Sequence, residues 1–181
     1  VGQVDFDVLD AVVEFLQACG VFKLRATTGL ETRVFVSDLA DKEINSPGEP
    51  GIAYHMALGF QASKLEGKPS LFLRRLRNGA FARTVGIVKA VNAYLDPVVL
   101  EFSADVSPLT PNGNATERHV CAAYEAKAKN VFVNLVDRAA FWAEKLGLGV
   151  EDATTLMDDS VKLQGLIRKK TMKSGGVGYI K

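Results

Sequence analysis

The sequence predicts an α/β layer followed by a helical lobe, and three observations carry that expectation. Short β-branched and aromatic runs, broken by tight turns, fill the stretch from Val21 to Phe60. An amphipathic helix precedes them, and from Ser70 onward apolar residues recur at helical spacing. The change of texture at Gly67 divides the chain into an α/β segment, 1–66, and a mainly helical lobe, 67–181.

Taken in order, Phe6, Leu9, Val12, Val13 and Leu16 give Asp5 to Cys19 a helical period, and Gly20 is expected to stop it. Val21 to Ala26 alternates as a first strand, Thr27-Thr28-Gly29 breaks it, and Leu30 to Val36 forms a second. Asp38 to Gly51 is dense in turn-forming residues and is expected as a loop, and Ile52 to Phe60 is a third strand. Leu73, Leu76, Phe81, Val85, Val88, Val91 and Tyr94 mark a helix from Ser70 to Leu95, ended by Asp96-Pro97. Ser107 to Asn114 is a second loop. Thr116 to about Met172 is helical in three pieces, with breaks near Ala128-Lys129-Asn130 and at Gly147-Leu148-Gly149. On the middle piece Trp142 shares a side with Phe132, Val136 and Leu146 and is expected in the core.

Lys and Arg number 22 against 21 for Asp and Glu, so no global field draws the chain to nucleic acid or an anionic membrane. Such binding would have to come from a local patch. Cys19 and Cys121 both fall in helical sequence and are expected as reduced, packed thiols. No apolar run approaches the roughly 18 residues that span a bilayer, and the amino terminus lacks a signal pattern. A cytoplasmic protein is expected. The chain opens at Val1 without a methionine and closes directly after an apolar stretch, as a piece of a longer protein would.

The chain holds two histidines. His55 lies mid-strand with Ala53 and Ala57 on its own face, which leaves open space before the ring. Glu31 opens an apolar strand, where a carboxylate needs solvent, an arginine such as Arg33, or a metal. A carboxylate and an imidazole at the ends of neighbouring strands can share one divalent zinc, manganese or iron ion. Arg74, Arg75, Arg77 and Arg83, with Lys68 close by, form the dense basic run and suit either a solvated helix face or contact with phosphate. Arg168, Lys169, Lys170 and Lys173 sit at a helix carboxyl end, where the helix dipole alone accounts for them. The loop from Glu43 to Gly51 joins the two candidate ligand strands and would lie at the mouth of a site, or be a plain surface connection.

Four pieces of the sequence, in order, resemble the central part of the PHP (polymerase and histidinol phosphatase) family of metal-dependent phosphoesterases. Gly29-Leu30-Glu31 is similar to the family's Gly-x-Glu strand, and His55-Met56-Ala57-Leu58-Gly59-Phe60 to its His-Leu-Leu-Gly-x-Gly strand. Ala115 to Ala122, with Arg118-His119, stands where the family has Gly-Arg-Pro-His-Ile-Ala opening a helix. Leu166 to Tyr179, with Gly175-Gly176-Val177-Gly178, is similar to the family's closing aromatic segment.

The resemblance implies a partial PHP-type (βα) barrel layer, with 67–181 as an insertion or lid. It implies that Glu31 and His55 ligate a divalent metal (Mn, Zn or Fe) and that Arg118 and His119 act at the substrate phosphate; Arg74 and Arg75, taken from the basic run itself, are the candidates for further contact with it. The substrate would be a phosphorylated small molecule, a nucleotide or an oligonucleotide. The family's His-x-His, Ala-His-Pro and Asp-x-His ligands have no counterpart here. The metal site would therefore be incomplete in this chain, which would be inactive alone and draw further ligands from the rest of the parent protein or a partner. Two other classes remain: a non-catalytic helical module that holds phosphate or nucleic acid through the arginine-rich helix, and a structural domain without chemistry. No phosphate loop and no Gly-x-Ser-x-Gly elbow occurs, and the 175–178 glycine run follows a helix, where a dinucleotide turn would follow a strand.

Overall fold

The computed structural model describes residues 1–6, 8–110 and 113–180. The chain is mixed α/β and divides into two compact units, Val1–Asn78 and Gly79–Lys181. The division falls inside a long helix instead of at its start near Gly67.

The first unit is built on a three-stranded sheet in the order β1 (Gly2–Phe6), β2 (Thr27–Phe35), β3 (Ile52–Leu58). Parallel strands need a crossover, and helix α1 (Val12–Val21) supplies it between β1 and β2. β3 returns antiparallel to β2. The expected helix from Asp5 is thus shorter: residues 2–6 are strand, and Asp7 lies outside the described residues. Leu9 mimics the helical period, but it is buried in the turn ahead of the helix, where it packs with Val12, Leu30 and Leu73. The strand expected over 21–26 does not form. α1 runs past Gly20, and the chain turns at Lys23 (φ 53°), where the Leu24 amide donates to the Cys19 carbonyl at 2.9 Å. Hence Val21, Phe22 and Leu24 are exposed.

The loop from β2 to β3 is fastened to the hairpin it connects. Asn45 accepts from the Tyr54 amide at 2.8 Å and donates to the Tyr54 carbonyl at 3.1 Å. Arg33 pairs with Glu49, which also accepts from Ser46 at 2.5 Å. Gly51 closes the loop at φ 78°, and a Cβ there would stand 2.5 Å from the Phe35 ring. Helix α2 (Gly67–Tyr94) sends Leu73 into the first unit's core and pairs Arg77 with Asp10.

Among the described residues the second unit holds the later turns of α2, short helical turns over Phe102–Val106 and Ser107–Leu109, and the α-helices α3 (Glu117–Val131), α4 (Leu135–Leu146), α5 (Val150–Met157) and α6 (Ser160–Thr171). Three breaks separate α3 to α6 where two were expected; the extra one is at Asp158-Asp159, and the Asp159 carboxylate caps α6 through the Lys162 amide at 3.1 Å. Pro111 and Asn112 of the expected 107–114 loop lie outside the described residues. Trp142 is buried as expected with Leu146, and Phe132 packs against that core, but Val136 is exposed. Around Trp142 lie Tyr124, Ile87, Val91, Leu163 and Ile167. Tyr124 donates to Asn92, whose amide in turn grips both backbone groups of Leu100, at 2.8 and 2.9 Å. Cys19 and Cys121 are both free thiols, buried in separate units. Burial pushes the Cys121 thiol up to about 12, so it acts as a packing group and not as a nucleophile. No helix among the described residues is long and apolar enough to cross a membrane.

Candidate functional site

The strand register decides the expected metal pair. Directly opposed residues of an antiparallel pair share a face. Thr32 opposes His55, and Glu31 opposes Met56. Glu31 and His55 therefore project from opposite faces of the sheet, with the backbone ladder between them. A cation about 2 Å from both a carboxylate oxygen and an imidazole nitrogen does not fit this arrangement. Among the described residues, no three His, Cys, Asp or Glu side chains gather as a metal-binding group. The residues present do not fit a shared manganese, zinc or iron ion. His55 is exposed near the middle of edge strand β3, and Glu31 is half-buried. Arg33, the expected arginine partner of Glu31, pairs instead with Glu49 in the loop.

The four arginines of α2 separate by partner. Arg77 holds Asp10 and Arg83 lies 3.5 Å from Glu117. Arg74 and Arg75 are exposed, and neither has an ion-pair partner among the described residues. Both belong to the first unit, whereas Arg118 and His119 belong to the second.

At the start of α3, Thr116 and His119 form a capping box. The Thr116 amide donates to His119 Nδ1 at 3.0 Å, which places the neutral ring's proton on Nε2. Burial lowers the affinity of this imidazole for a second proton. His119 is thus engaged in holding a helix end, a role that its position in the motif does not suggest. Arg118, its neighbour in the first turn, is exposed and has no ion pair among the described residues.

Glu117 is the group that sequence reasoning missed. It is nearly buried and accepts from Arg168 Nε at 2.6 Å and Lys173 Nζ at 2.9 Å, with Arg83 Nη1 3.5 Å away. Burial opposes its charge, but the hydrogen bonds from Lys173 and Arg168 prevail and hold its carboxyl below the usual range. The basic cluster at the end of α6 is therefore more than a response to the helix dipole. The signal available beforehand was a glutamate in the first turn of a helix, and nothing local connects it to residues 51 positions away.

A second buried carboxylate, Glu125, accepts from Lys129, Ser160 and Gln164 at 2.6, 2.7 and 2.7 Å. It borders a cavity of about 90 Å³ with Lys129, Arg138 and Trp142. Both of its oxygens are already taken, so it ties α3 to α6 and leaves no free base. No protein-family model, curated protein or solved structure matches the chain.

Proposed function

We propose that this chain is a segment of a PHP-type metal-dependent phosphoesterase, a hydrolase, and that its own part is to bind the substrate's phosphate. The class is supported by four sequence pieces in the family's order, from Gly29-Leu30-Glu31 to the 175–178 glycines. The parallel β1–α1–β2 unit is of the kind from which a (βα) barrel layer is assembled. The catalytic ions would be held by residues of the parent protein or of a partner, since Glu31 and His55 lie on opposite faces of the sheet.

The observation that carries the binding role is Arg118, an exposed guanidinium in the first turn of a helix with no carboxylate partner among the described residues. Amide groups of that turn favour an anion, and a guanidinium beside them can hold a phosphate by two parallel hydrogen bonds. Arg118 would fix the ester's orientation and offset charge that builds on its oxygens. Calorimetric titration of the full chain with a nucleoside monophosphate tests this: Arg118→Ala should weaken binding about tenfold. Equal affinity in the variant, or no binding by the parent chain, removes the proposal.

One observation favours a second reading, a module for nucleic-acid backbone. Arg74 and Arg75 have no carboxylate partner while Arg77 and Arg83 do. Single-stranded oligonucleotide would then bind with a logarithmic salt slope of about −0.7 per phosphate contacted, and Arg118→Ala would leave it unchanged.

A further inference from the structure

We propose that Arg83, Arg168 and Lys173, gathered on Glu117, form a site selective for the dianionic end of a phosphate monoester over a phosphodiester. This rests on the reading that the chain handles phosphate, and it names the form of phosphate taken.

The inference begins with charge. Three cations on one carboxylate leave a surplus of two positive charges. A phosphate monoester carries about −1.5 to −2 at neutral pH, because its second pKa is about 6. A diester linkage carries a single negative charge, so the surplus matches the monoester better.

Geometry adds access. The Glu117 side chain is 11% exposed, against 34% for Arg83, 33% for Arg168 and 46% for Lys173. The carboxylate thus lies at the base of the cluster, and the cations keep an outer side open to solvent. Donors remain as well. Arg168 presents Nε to Glu117, which leaves its terminal nitrogens, and Lys173 uses one of three N–H groups. No other carboxylate pairs with these three among the described residues.

The positions are set from three directions, since Arg83 comes from α2, Arg168 from α6 and Lys173 from the segment after α6. All of them, with Glu117, belong to the second unit. Three free cations at this spacing would repel one another. Glu117 draws them together before any ligand arrives, so less ordering is left for binding to pay. The same contacts also tie helices together, and a tie alone would give no preference for an anion.

The test uses the full chain, titrated with inorganic phosphate, a nucleoside 5′-monophosphate and a dinucleoside phosphodiester. The monophosphate should bind about tenfold more tightly than the diester, and more tightly still as pH rises through about 6, where it gains its second charge. Lys173→Gln leaves both arginines on Glu117 and so preserves the tie; it should weaken monophosphate binding about tenfold. Glu117→Gln removes the competing carboxylate and, where circular dichroism shows the variant folded, should strengthen binding. Should it unfold, Lys173→Gln decides the question alone.

Unchanged binding in Lys173→Gln, or equal affinity for monoester and diester, overturns the inference. If Arg118→Ala abolishes binding while Lys173→Gln does not, this site falls and the Arg118 proposal stands. The reverse pattern upholds this site and removes that role for Arg118. No phosphate binding at all removes both.

Discussion

His119 shows how a single side chain's partner decides its role. Its Nδ1 accepts the Thr116 amide, so the ring secures the first turn of α3. Glutamine or glutamate is the usual residue at this place in a capping box. His119→Gln should accordingly keep the stability of the parent chain, while His119→Ala should cost about 1 kcal/mol in urea unfolding. Equal losses in both would show that the cap is not what the ring provides. The ring also sets a pH dependence. Burial lowers its pKa in the folded chain from an ordinary value of about 6.5, so the unfolded chain binds the proton more readily. Its contribution is complete above about 6.5 and is lost as the pH falls through the lower, folded value. The sequence identified His119 as the opening of a helix but not the direction of its hydrogen bond. Glu117 was illegible for another reason: its partners Arg168 and Lys173 are brought to it by helix packing, which leaves no trace in local spacing.

At the scale of elements, strand alternation sets Ala53, His55 and Ala57 on one face of β3 and Tyr54, Met56 and Leu58 on the other, while β2 begins at Thr27, inside the expected Thr27-Thr28-Gly29 break. What it could not supply was the register between them. A slip of one residue exchanges the faces of a strand, and a shift of one would set Glu31 directly opposite His55. The connecting loop and the ladder fix the observed register, through Asn45 on Tyr54, Arg33 on Glu49 and the close approach of Phe35 to Gly51. Gly51→Ala should therefore lower stability by roughly 1–3 kcal/mol, read from the urea midpoint, because the new Cβ meets the Phe35 ring and Ala40 at a positive φ. An unchanged midpoint would mean that the loop does not constrain the hairpin. The start of α1 departs from the sequence expectation for a related reason. Leu9 kept a helical spacing with Val12 while serving as a core residue of the preceding turn. The long helices are easier to read, because apolar residues recur over several turns of α2 and α4 and bury Val88, Val91, Trp142 and Leu146, although Phe81, Val85 and Tyr94 of the α2 stripe are exposed.

At the scale of the whole molecule, each unit has a core of its own, one centred on Leu9, Val12, Leu30 and Leu73, the other on Trp142 and Tyr124. Acidic and basic residues nearly balance, so attraction for anions is local. By the proposals above it would reside in Arg118 and in the cations on Glu117; Arg74 and Arg75 are a separate exposed pair. This chain is proposed to meet phosphate through cationic side chains and not through an ion shared by Glu31 and His55, which lie on opposite faces of the sheet. The most direct test is the affinity of the full chain for a nucleoside monophosphate, measured once with a chelator and once with added manganese or zinc. Equal affinity in the two buffers, weakened by salt and unaffected by Glu31→Ala with His55→Ala, is the predicted result. Binding that needs the metal and disappears in that double variant would contradict it.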